Sequence, residues 1–284
     1  MRLSKELIIL VSLLLGIAAS GLSMTISVPM DQPTIQDGID AAYDYDTVLV
    51  APGTYEGHIN FNGKLVVVKS IYGPLETIIT GDAEVYSALV TFNNNETQDA
   101  VLEGFTLLEG WLGVYCENSA PTIKYNILRD QRTTEWAAIC LAGPGYPPSA
   151  GFGPAQAVIV NNTIVNCYGG GISSFSTEPP IIKNNIIAFN SKYGIHIQSI
   201  LLPIDLSYND VYDNNQNYIN TVPDSTSISD DPDFTYNYRL SPASPCIDAG
   251  DPDPYYNDFD GSRNDMGAVP LSDSYLAVYN INFG

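Results

Sequence analysis

IVNNTI (159–164), IKNNII (182–187) and LSYNDV (206–211) are three copies of one short block, and IKYNIL (123–128) and LEGFTL (102–107) precede them in the same form. The first apolar residues of the blocks are Leu102, Ile123, Ile159, Ile182 and Leu206, spaced 21, 36, 23 and 24 residues apart. Their last are Leu107, Leu128, Ile164, Ile187 and Val211, with the same spacings. A third column recurs in GVYC (113–116), AICL (138–141), GISS (171–174) and GIHI (194–197), with Val114, Ile139, Ile172 and Ile195 as its apolar members. Each stretch alternates apolar and polar, the period of a strand with one buried face. Asn-Asn at 161–162 and 184–185 falls where the chain must bend sharply, and Asn tolerates the left-handed backbone that such a bend needs.

Three short strands per repeat of about 23 residues describe a right-handed parallel β-helix, an all-β solenoid whose like side chains stack from coil to coil. A propeller uses longer repeats of four strands, and no window sustains the period of a helical repeat. Residues 46–240, less one insertion, supply about eight coils, a rod of roughly 40 Å at strand spacing. PTIQDGIDAAY (33–43) reads as a short helix over the first coil, with Thr34 and Asp37 at its start and Ile35, Ile39 and Ala42 on one face. The segment of about 232–269 lacks the repeat and is expected to close the other end of a domain spanning 28–269, leaving 270–284 as a tail.

The wider composition agrees with an exported protein. Arg2 and Lys5 precede an apolar run, Leu7 to Ala19, and small residues follow, so residues 1–23 read as a secretory signal peptide and the mature chain as secreted or cell-surface, outside the bilayer. With 11 Lys+Arg against 32 Asp+Glu the net charge is −21, which argues against nucleic acid or an anionic membrane surface as partner and permits cations and neutral or cationic glycans. Cys116, Cys140, Cys167 and Cys246 fit no zinc or CxxC spacing, and buried free thiols are favoured over disulfides.

TVLVAPGTYEGHINFNGKLVVVKS (47–70) and the Gly-Ile and Asn-Asn repeats resemble secreted right-handed β-helix repeat proteins of the pectin-lyase-like superfamily. YRLSPASPCIDAG (238–250) and DFDGSRNDMGA (258–268) resemble the close of such exported bacterial proteins. The resemblance implies extracellular work, frequently on acidic plant or algal polysaccharides, with substrate along the outer face of the GVYC column. Alternation sends Tyr115, Glu117, Cys140, Ser173, Phe175, His196 and Gln198 outward there. That row holds no Arg or Lys for a lyase base, and only Glu117 of the two carboxylates that a hydrolase needs. Nor are Gly-His-Gly or Arg-x-Lys motifs present. Asp230-Asp231 lies outside the repeats, and His58 at a predicted turn reads as a surface histidine.

The insertion GPGYPPSAGFGPAQ (143–156) carries Tyr146 and Phe152, and insertions often form a solenoid's binding surface. Together with Tyr115, Glu117, Trp136, Phe175 and His196 these form the candidate glycan-binding set. Asp248, Asp251, Asp253, Asp258, Asp260 and Asp265 are candidate Ca²⁺ ligands, although no Glu closes an EF-hand loop. The competing reading pairs Asp260 or Asp265 with Arg263. Polysaccharide binding is the leading expectation; a lyase or hydrolase of acidic glycans and a non-catalytic adhesin or spacer are the alternatives.

Overall fold

The computed structural model describes residues 23–81, 87–142, 156–198, 204–258 and 260–269. It is a parallel β-solenoid: three sheets of eight, seven and seven strands run its length. The stacks read from the sequence are present residue for residue. Leu102, Ile123, Ile159, Ile182 and Leu206 lie in register in the first sheet. Leu107, Leu128, Ile164, Ile187 and Val211 do so in the second. Val114, Ile139, Ile172 and Ile195 do so in the third. All of these are buried in one continuous core, which Val48 and Val68 extend toward the N-terminus.

Three bends per coil join the sheets, and two of them use left-handed backbone at a fixed position. Between the first and second sheets the residue is Gly104, Tyr125, Asn161, Asn184 or Tyr208; between the second and third it is Glu109, Asp130, Asn166, Phe189 or Asp213. The first Asn of each Asn-Asn pair therefore makes the turn, as expected. The second does something the pattern alone did not disclose. Asn126, Asn162, Asn185 and Asn209 point inward and form a ladder, each Nδ2 donating to the next Oδ1 at 3.2, 3.1 and 3.0 Å. The remaining donors and acceptors of each amide satisfy backbone groups at the bend, so a fully buried polar file costs no unpaired group.

The helix is Ile35–Ala41, with Thr34 as its N-cap accepting from the Asp37 amide at 3.1 Å. Ile35 and Ile39 are buried against the first coil, and Gly38 passes so close to Val48 that a Cβ would lie 2.8 Å from it. Lys64 Nζ donates to the carbonyls of Ile39, Asp40 and Ala42 at 2.7, 2.7 and 2.8 Å, closing the helix's C-terminal end with a cation. All four cysteines are free and buried.

The other end differs from expectation in two ways. There are about seven turns rather than eight, because the third sheet ends at Gln216–Ile219 and the chain then leaves the repeat. Residues 224–229 finish the last coil, with Asp224 N donating to Leu206 O at 3.3 Å and Val211 N donating to Ile228 O at 3.2 Å. The segment expected to plug the end, 232–269, instead lies along the outer face of the second sheet. Leu240, Cys246 and Met266 pack there on Val165, Ile186 and Ala188, and Ala268 and Val269 pack on Ile127. That face is apolar where a solvent-facing strand would be polar, so it needs this cover.

Candidate functional site

The outer face of the third sheet carries one file of side chains, Thr91, Tyr115, Cys140, Ser173 and His196, set by the register of successive coils. At its N-terminal part a cleft of about 740 Å³ opens, lined by Ser87, Ala88, Thr91, Trp111, Leu112, Tyr115, Glu117 and Glu135. Two of the expected residues, Tyr115 and Glu117, are therefore in a cleft. Burial first, and the Glu117 charge next, push the Tyr115 phenol well above its ordinary value, so it stays protonated and donates to the Glu117 carboxylate. Thr91 and Ser87 add hydroxyls, and Trp111 and Leu112 an apolar wall.

Farther along, Trp136, Phe175 and His196 form a separate group. Trp136 meets Phe175 edge-on at 5.6 Å between ring centroids, Phe175 meets His196 at 5.7 Å, and Tyr193 meets His196 at 5.4 Å. Burial lowers the His196 pKa, which favours the neutral ring. Cys140 and Ser173, expected to face solvent, face away from the core but are fully buried. Burial of the Cys140 thiol pushes its pKa up to about 11, so it is no thiolate nucleophile. Three strand spacings and a two-residue offset along the strand, about 16 Å in all, separate Glu117 from His196, so the predicted set does not converge on one point. Tyr146 and Phe152 lie outside the described residues.

Sequence reading missed Ser87, Trp111 and Glu135. Trp111 and Glu135 precede strands of the third sheet, where alternation no longer says which way a side chain points. Glu135 supplies a second carboxylate to the cleft, but not one side by side with the first. Glu117 is paired with Ala142, five residues beyond the Ala137 start of that strand, and Glu135 lies before it. The two backbones thus enter from opposite ends, about 16 Å or more apart.

His58 is exposed at a bend, as expected, and it has a side-chain partner. It occupies a bend with φ of 65°, and its Nδ1 lies 2.6 Å from Ser87 Oγ and 3.2 Å from the Ala88 carbonyl. Asp230 and Asp231 are remote from the cleft, beside the flanking segment; Asp230 N donates to Asp210 Oδ1 at 3.2 Å, and Asp231 Oδ1 accepts from Asp233 N at 3.0 Å.

Five of the six aspartates near the C-terminus use their carboxylates in local contacts, and Asp248 takes part through its backbone N–H. Asp251 pairs with Lys183 at 2.8 Å, Asp253 accepts from Tyr255 N, Asp258 from Asp265 N and Asn264 Nδ2, Asp260 from Ser262 N, and Asp265 from Asp248 N. Among the described residues no three acidic, His or Cys side chains gather as a cation cage. Arg263 donates to the carbonyls of Gly250 and Ala249, stitching the segment to itself.

Comparison with known proteins adds one likeness. The chain is similar to a pectate lyase. The crystal structure of pectate lyase Pel9A aligns over 89% of this chain and 97% of its own, at 13% identity and a TM-score of 0.28. No protein-family model and no curated protein matches. A likeness that distant assigns no activity, so the functional reading rests on the cleft. Among the described residues no helix is long and apolar enough to cross a membrane.

Proposed function

We propose that this is an exported solenoid, secreted or held at the cell surface, that binds polysaccharide in the third-sheet cleft. The carrying observation is the cleft itself: about 740 Å³, lined by Trp111 and Tyr115 together with Glu117 and Glu135. Aromatic rings offer flat apolar surface to sugar faces, while carboxylates and hydroxyls accept from and donate to sugar hydroxyls. The net charge of −21 and the two cleft carboxylates repel uronates, so the preferred glycans are neutral or amino sugars rather than the acidic polymers that the sequence resemblance suggests.

Affinity electrophoresis against neutral, amino-sugar and uronate polysaccharides tests this. Retardation by a neutral or amino-sugar polymer is expected, with Trp111→Ala weakening it about tenfold or more, equivalent to ~1.4 kcal/mol. Equal mobility of the two proteins in every retarding gel, or retardation by uronates alone, overturns the reading.

A further inference from the structure

We propose that Ser87 and His58 form a nucleophile–base pair at the edge of this cleft that removes ester-linked acyl groups from the bound glycan. The proposal rests on the glycan reading of the cleft. Ser87 lines the cleft, and its Oγ is 2.6 Å from His58 Nδ1, within the reach a base needs to take a hydroxyl proton.

The solenoid builds this contact from residues 29 apart. His58 sits between the strands Gly53–Glu56 and Ile59–Asn60, and Ser87 immediately precedes Ala88–Phe92. Pairing of Ile59 with Val90 stacks one coil on the next and sets the imidazole beside the hydroxyl. The left-handed backbone at His58 is that of the bend between the second and third sheets, which Glu109 and Asp130 take in later coils, so the regular coil geometry itself presents the imidazole there. A single hydrogen bond between partly exposed groups adds little stability, so the fold itself has small need of this arrangement.

The chemistry is acyl transfer. With its proton on Nε2, His58 presents a lone pair at Nδ1. Ser87 Oγ attacks the ester carbonyl carbon while its proton passes to that nitrogen. The Ala88 carbonyl, 3.2 Å from Nδ1, is placed to accept from the imidazolium so formed. The tetrahedral intermediate breaks its bond to the sugar oxygen, which leaves as a hydroxyl carrying the proton from His58. Water, deprotonated by the same imidazole, then cleaves the acyl-serine to the free acid and returns Ser87 to its starting state. Ala88 and Leu112 wall the cleft alongside Ser87, which favours a small apolar acyl group such as acetyl.

The test uses the full chain, a serine-reactive fluorophosphonate and an aryl acetate, neither of which needs a glycan. Fluorophosphonate is expected to label Ser87, located by peptide mass spectrometry, and aryl acetate turnover is expected to fall about 100-fold or more in both Ser87→Ala and His58→Gln. Circular dichroism verifies that the variants are folded; Ser87→Ala removes one partly exposed oxygen and keeps the test valid should His58→Gln fail to fold. No label on wild-type Ser87, wild-type turnover by Ser87→Ala, or undiminished labelling of folded His58→Gln each overturns the proposal. Loss of glycan retention with Ser87 still labelled overturns the cleft reading instead, so the two failures are distinguishable.

Discussion

Replacing Asn185 by Ala removes the third of the four members of the buried amide ladder. Asn185 Nδ2 donates to the Ile159 and Lys183 carbonyls, both at 2.9 Å, and to Asn209 Oδ1 at 3.0 Å. Its Oδ1 accepts from the backbone N–H of Asn162 at 2.9 Å and from Asn162 Nδ2 at 3.1 Å. Asn209 Oδ1 keeps another donor, the Asn185 backbone N–H at 3.0 Å. The Ile159 and Lys183 carbonyls and the Asn162 N–H lose the amide that served them, in a place water does not enter. At roughly 1–3 kcal/mol for each unsatisfied buried group, and allowing for partial relaxation, the loss is about 4 kcal/mol. For a chain of this size that lowers Tm by about 10 °C or more. Asn185→Asp is expected to do at least as much harm, because a carboxylate can still accept from Asn162 but cannot donate to the two carbonyls. Urea unfolding followed by tryptophan fluorescence and by far-ultraviolet dichroism measures the difference. A loss under about 1 kcal/mol in Asn185→Ala would refute the reasoning, since the ladder would then be ornament on a core held by its aliphatic stacks.

Three further outcomes follow from the flanking segment. Burial pushes Asp210 and Asp258 up to about 7, so each binds its proton more tightly folded than unfolded; the stability they lend is full below the ordinary value of 3.8 and is lost as pH rises through 7. Asp210→Asn is therefore expected to flatten the fall in Tm between pH 5 and pH 8, and an unchanged pH profile would contradict it. Lys183 lies 2.8 Å from Asp251 and 3.5 Å from Asp205, so Lys183→Met strands a partly buried carboxylate; limited proteolysis should cut near residues 250–258 sooner than in wild type, and equal cutting rates would count against this. Calcium at about 1 mM should move Tm by less than ~1 °C, because the aspartates of 251–265 already serve backbone amides and Lys183; a rise of several degrees would support the cation reading instead.

The aliphatic columns were legible to the residue because a solenoid repeats its register, and every spacing in the sequence is a spacing between stacked coils. The left-handed bends at Asn161 and Asn184 were legible for the same reason. The amide ladder was not: in Asn126 and Asn209 the preceding residue is Tyr rather than Asn, which hides the inner position as the constant one. Cys140 and Ser173 show the limit of alternation, which tells which face a side chain takes but not whether neighbouring side chains then cover it. The cleft was half legible. Tyr115 and Glu117 are strand residues and could be placed, whereas Trp111 and Glu135 sit in bends whose direction no period sets. The meeting of His58 with Ser87 depends on how one coil of irregular length lies on the next, and 29 residues of separation conceal it. The flanking segment was visible as a break in the repeat, but its route was not, because the apolar outer row of Ile127, Ile186 and Ala188 reads as part of the same strands that build the core.

The long detour between the strands Ala137–Ala142 and Val158–Val160 leaves the stacks on either side of it undisturbed. A molecule assembled this way behaves like a column of interchangeable floors. Adding or deleting one whole floor displaces everything above it by about 4.8 Å and alters nothing within the remaining floors. The distance between features on its walls is thus a quantity that inheritance can adjust in fixed steps, without redesigning either feature.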